Sequence, residues 1–263
     1  MIKKILHITL WLVIIAGILA LTGFAVENNR HAGCHSLVVR VDRSCGHDFL
    51  HEEAVIKALY DRFDTLEGAS IDQGKLKQIR QMISTNPYVE RTAVYRTVNN
   101  DLHIDIYQRQ PIIRVVNNRN ETFFIDRQGR LMPPSSRYTP RVMVAGGNVR
   151  AGYSPNLRLN GKDADTEPVP GEQILRELYQ LALFIHQEPY WKAMIDQITV
   201  TPKGEFELVP SHGAHVVELG NMDGLEEKFR KLRVFYRHGL TTTGWDAYKR
   251  INLRFNKQVI CSN

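Results

Sequence analysis

The sequence predicts an α+β protein: an N-terminal transmembrane helix at 5–26, a β-α-α-β-β module, then a β-rich domain with packed helices. Three observations carry this. A long run near the start has no Lys, Arg, Asp or Glu; residues 37–109 pass from strand to helix periodicity and back; and from 111 onward short apolar segments alternate with turn residues.

The run ILHITLWLVIIAGILALTGFAV fills 5–26. Roughly 20 apolar residues span a bilayer core, and a soluble helix need not be apolar on every side. The alternative is a cleaved secretory signal, for which Gly23, Phe24 and Ala25 make a small-x-small site. Signal h-regions reach only about 7–15 residues, so length favours an uncleaved anchor. Lys3 and Lys4 precede the run, while Glu27 and Arg30 follow it. Positive charge stays on the cytoplasmic side, which predicts a cytoplasmic tail at 1–4 and an exported body. Residues 27–36 (ENNRHAGCHS) read as a polar linker.

With 263 residues, 43% hydrophobic and 24% charged, the exported part can hold two ordinary domains, each with its own core. The expected boundaries are 37–110 and 111–263. The net charge of +6 comes from scattered cations, so it reads as a mildly basic surface and not as a nucleic-acid interface. Cys34, Cys45 and Cys261 are odd in number, so at most one disulfide forms, and cores rather than staples must hold the chain. His31, Cys34, His35, Cys45, His47 and His51 are zinc-type ligands in one segment. Only His47 and His51 have a tight spacing and no Cys pair matches them, so they read as linker and loop histidines, and no metal is expected.

Leu37 to Val41 gives the first strand. A helix begins near Phe49 and carries Val55, Ile56, Leu59, Tyr60 and Phe63, with Glu52 and Glu53 at its positive end. LEGASI turns the chain around Gly68. Asp72 is the expected N-cap of a second helix with Leu76, Ile79 and Ile83 inward, stopped by Asn86-Pro87. Strands at Tyr88–Val98 and Leu102–Tyr107 are joined by Asn99-Asn100-Asp101, residues that tolerate positive φ. Leu102, Ile104 and Ile106 alternate with His103, Asp105 and Tyr107, as a sheet with one covered face requires.

In the second domain, strands are expected at Ile113–Val116, Thr122–Ile125 and Val142–Val144. Residues 145–170 (AGGNVRAGYSPNLRLNGKDADTEPVP) read as a long loop or insertion. Gln173–His186 is a helix with Ile174, Leu175, Leu178, Leu181, Ala182 and Ile185 on one face. Strands return at Ile195–Thr201, Glu205–Val209 and His215–Leu219, separated by Pro202-Lys203-Gly204 and Ser211-His212-Gly213. Asn221 or Asp223 caps a further helix with Leu225, Phe229, Leu232 and Tyr236 inward, and Gly239 ends it. In the closing segment, Ile251, Leu253 and Phe255 share one face and Arg250, Asn252 and Arg254 the other.

No catalytic constellation is present: there is no G-x-S-x-G, Walker loop or G-x-G-x-x-G, and His51-Glu52-Glu53-Ala54-Val55 lacks the second histidine of a zincin helix. Asp163 and Asp165 read as solvated loop acids, and Asn120-Glu121-Thr122 matches a glycosylation sequon. No enzyme and no cofactor are expected.

A β-α-α-β-β module directly after one span, with NPYVERTAV entering a hairpin and then IYQRQPIIRV, resembles the POTRA domain of the FtsQ/DivIB bacterial cell-division family. Phe123-Phe124-Ile125-Asp126, Gly129 and Pro133 resemble the opening of that family's β domain. Trp245, Tyr248-Lys249-Arg250-Ile251-Asn252-Leu253-Arg254-Phe255 and Gln258-Val259 resemble its closing strand pair. The resemblance does not account for 145–170. It implies a single-pass protein of the cell inner membrane, with its bulk periplasmic, at the division septum. It also implies a divisome scaffold whose closing strand region docks the coiled-coil proteins FtsB and FtsL. The partner-binding residues expected on that basis are Tyr248, Arg250, Ile251, Asn252, Leu253, Arg254, Phe255 and Val259. The alternatives are a POTRA-bearing factor for outer-membrane protein assembly or secretion, and an anchored periplasmic metalloenzyme.

Overall fold

The computed structural model describes residues 11–20, 33–64, 66–161, 170–255 and 258–263. Residues 11–20 are helical, with Trp11, Leu12 and Val13 exposed. No helix of the described residues is long and apolar enough to cross a membrane. The rest of the expected span, the tail at 1–4, most of the linker, His31, Asp163 and Asp165 lie outside the described residues. The chain divides into two compact units, Met1–Gln108 and Arg109–Asn263.

The first unit holds β1 (Leu37–Asp42), α1 (Glu52–Phe63), α2 (Gln73–Ser84), β2 (Val89–Arg96) and β3 (Leu102–Gln108). β3 is central, parallel to β1 and antiparallel to β2. This is the order of elements that the change of periodicity predicts. Leu102, Ile104 and Ile106 are buried together with Leu59, Ile79 and Ile83 from the helices, which is the apolar burial that drives the layer together. Asp72 caps α2, its Oδ1 accepting from the Lys75 N–H at 2.7 Å, and Asn100 takes φ +66° in the hairpin. The first hairpin strand is shorter than expected. It stops at Arg96, and Val98 beyond it is 88% exposed.

One polar side chain fixes the long β1–α1 connection. Gln108 Oε1 accepts from the Phe49 and Leu50 N–H groups at 2.8 and 3.0 Å, and its Nε2 donates to the carbonyls of His47 and Asp42 at 2.9 and 3.0 Å. A buried amide with its bonds made closes a loop that has no regular structure of its own. Cys34, Cys45 and Cys261 are not joined in disulfides, and no three metal-type donors converge among the described residues.

The second unit is built on a nine-stranded sheet in the order β12-β11-β10-β9-β8-β7-β4-β5-β6. Its strands are β4 (Pro111–Val116), β5 (Thr122–Asp126), β6 (Leu131–Met132), β7 (Met143–Gly147), β8 (Ile195–Val200), β9 (Phe206–Pro210), β10 (Val216–Gly220), β11 (Arg250–Asn252) and β12 (Ile260–Ser262). The β4–β7, β7–β8 and β10–β11 pairs are parallel. The helices are α3 (Glu172–Gln187), α4 (Pro189–Met194) and α5 (Leu225–Val234), the last running into a π-helix at Phe235–Leu240. Leu175, Leu178, Leu181, Ala182 and Ile185 of α3 join Trp191, Phe229, Leu232 and Tyr236 in the core beneath the sheet.

Three expectations are corrected here. Neither Asn221 nor Asp223 caps α5; its N-cap is Gly224 at φ +61°, and Asn221 instead bonds Asp223 and accepts from Lys228 Nζ. Gly239 does not end the helix. It lies inside the π-helix, where a Cβ would come within 2.8 Å of the Phe235 ring, so its bareness serves close packing, and the helical run ends at Gly244 with φ +95°. Nor is 145–170 a detached loop throughout. Residues up to Gly147 belong to β7, and Val149, Ala151, Leu157 and Leu159 are buried in the core without any regular period.

Candidate partner-binding edge

The closing segment begins at Tyr248, half-buried with its ring 6.1 Å from Phe235. Lys249 then accepts the Val216 N–H and donates to the Ser262 carbonyl, so the chain enters the sheet between β10 and β12. β11 runs parallel to β10, and β12 returns antiparallel to β11. β12 is the last strand of the sheet, and its outer backbone has no strand partner among the described residues. An edge of this kind presents unpaired N–H and C=O groups.

The structure sorts the expected residues into three groups. Ile251 and Leu253 are fully buried and belong to the core. Arg250, Asn252 and Arg254 face the other side and form a ladder with acids of β9, β10 and the turn just before β9. Arg250 pairs with Glu218 and Glu207, Asn252 Nδ2 donates to Glu218 Oε2 at 2.7 Å, and Arg254 lies 2.9 Å from Glu205. The hydrogen bond it donates to Glu218 holds the Arg250 guanidinium above its ordinary value, with Glu207 acting the same way. Gly220, at φ +77°, makes room for Arg254, whose Cγ a Cβ there would meet at 2.9 Å. Those three polar groups are engaged within the sheet.

Phe255 remains at the surface, and Val259 is half-buried against the core. The expected continuation of one apolar face to Phe255 is corrected: β11 stops at Asn252, and Phe255 is 46% exposed, its carbonyl accepting from Lys231 Nζ at 2.7 Å. Val259 lines an open groove of about 430 Å³ with Gln258, Val234, Phe235, Glu227, Arg230 and Lys231. Val234 is 56% exposed, and Ile260, next in sequence to Val259, is 43% exposed. Val234, Phe235 and Ile260 were not singled out by sequence reasoning. The available signal was an apolar residue on the polar face of a charged helix, between Arg233 and Phe235.

A small α/β module followed by a β-rich domain that ends in an open edge strand defines a two-module architecture, and the comparisons place it. A POTRA-like domain model matches residues 32–107, and the model for the FtsQ/DivIB C-terminal related domain matches residues 110–262. The chain belongs to the FtsQ/DivIB family. It is similar to the cell division protein FtsQ of Salinibacter ruber, 27% identical over 192 residues, which cover 69% of this chain and 67% of that one.

Proposed function

We propose that the chain is a single-span, non-enzymatic scaffold of the bacterial divisome. It is anchored in the inner membrane by 5–26 with its two domains in the periplasm, and it recruits FtsB- and FtsL-type partners at the septum. The observation that carries the recruiting role is the open edge of β12 beside an apolar groove with a basic rim. A partner strand laid along β12 would gain main-chain bonds, while Phe255, Val259 and Ile260 select its side chains. Arg230 and Lys231 favour an acidic segment next to that strand. Of the residues expected from the sequence, Phe255 and Val259 are the direct contacts in this reading. Tyr248, Arg250, Asn252 and Arg254 position the strand, and Ile251 and Leu253 anchor it. Family membership supports the assignment to cell division.

Depletion of the protein, followed by phase-contrast imaging with a nucleoid stain, tests the reading. Long smooth filaments with separated nucleoids are expected, because septation fails while growth and segregation continue. Normal-length cells with a leaky envelope would overturn it in favour of an export factor.

A further inference from the structure

His215 is buried at the start of β10, beside the strand that receives the closing segment. Its Nε2 lies 2.8 Å from the Tyr236 hydroxyl of the π-helix. Its ring stacks 6.3 Å from Trp245 and meets Tyr236 edge-on at 5.5 Å. Nδ1 is buried at the Gly213 turn, beside the Trp245 carbonyl. One imidazole therefore touches the turn before β10, the π-helix and the loop that leads into β11. The next residue, Val216, donates to Lys249, the residue before β11.

We propose that His215 is an acid-sensitive latch on the partner edge: the neutral ring holds these three segments together, and a proton taken up there releases β11 and β12. The inference rests on reading β12 as that edge. An imidazolium carries two N–H donors and no acceptor. In the neutral tautomer whose Nε2 accepts from the Tyr236 hydroxyl, that hydroxyl would then have to turn round and accept, leaving its own proton without a partner in the core. The titratable groups around the ring do not offset the charge. Burial pushes the Tyr236 phenol far up, and Tyr190 of α4 adds to this, so it stays neutral. Burial holds His215 below its usual value, outweighing the Trp245 carbonyl and Asp246, which both favour the charged ring. The unfolded chain therefore binds a proton more readily than the folded one. The latch is at full strength above the ordinary histidine value of 6.5 and weakens as pH falls below it.

Cys261, in the middle of β12 and packed on the core, reports opening. In the full-length chain in lipid nanodiscs, carrying Cys34→Ala and Cys45→Ala, its labelling by a pyridyl disulfide is measured near pH 5 and near pH 7.5. Each rate is divided by that of the urea-unfolded chain. The expected ratio is about tenfold faster in acid, the factor that follows from each unit by which proton binding favours the open form. His215→Gln and His215→Phe are both expected to flatten it. A native chain with no acid effect, or variants that retain it, would overturn the latch. Should both variants already be open at neutral pH, NMR of the histidine-labelled native chain decides. The His215 signal must titrate together with Cys261 exposure, and titration while Cys261 stays protected would overturn the proposal. No partner is present in these measurements, so an edge that opens in acid yet recruits nothing would leave the latch standing and sink only the proposed function.

Discussion

Near β4 and β5 the nine-stranded sheet has strands of six and five residues, and beside them Arg109 NH1 lies 2.7 Å from Asp126 Oδ2 in a buried pair. At the other end β11 and β12 are three residues each, and the ion pairs that brace β11 sit on arginines that are partly solvated. Both ends have apolar anchors, Ile113 and Phe123 at one and Ile251 and Leu253 at the other. What differs is how much burial and how many ladder bonds stand behind them. β4 and β5 are each paired on both sides, while the β12 edge keeps main-chain groups and apolar side chains within reach of a partner.

The contrast can be broken first at its strong end. Asp126 accepts from Arg109 and also from the Gln128 and Arg130 N–H groups. Asp126→Ala leaves the buried Arg109 charge unpaired, so a loss of about 3–5 kcal/mol is expected in urea unfolding. At the weak end, Arg250→Ala removes pairs that water already screens. The expected loss is about 1 kcal/mol or less, and it should shrink further in high salt, since exposed pairs are screened. Equal losses at the two sites would remove the distinction between the ends.

Legibility in the sequence follows the same divide. Leu102, Ile104 and Ile106 alternate without interruption, and Leu76, Ile79 and Ile83 repeat at helical spacing, so the first unit was readable from periodicity. The order β7-β4-β5 was not, because parallel pairing between distant strands leaves no local signal. The helix Pro189–Met194 was missed because it follows α3 at once, with its proline at the first turn. Val149, Ala151, Leu157 and Leu159 were hidden among turn residues, since a loop that packs on a core needs no period. At the edge, alternation put Ile251 and Leu253 on one face without showing that it is the buried one, and carried on to Phe255, past the point where pairing stops. The groove was illegible because it joins Val234 and Phe235 of one segment to Val259 of another.

The most direct measurement is complementation of the depleted cell with a chain carrying Phe255→Ser and Ile260→Asp, scored by cell length beside the unfolding free energy of the same protein. Both side chains are exposed, so stability should stay within about 0.5 kcal/mol of the unmodified chain. The edge account predicts that this folded protein leaves the cells as filaments. Cells of normal length, carrying the folded variant at ordinary abundance, would contradict it.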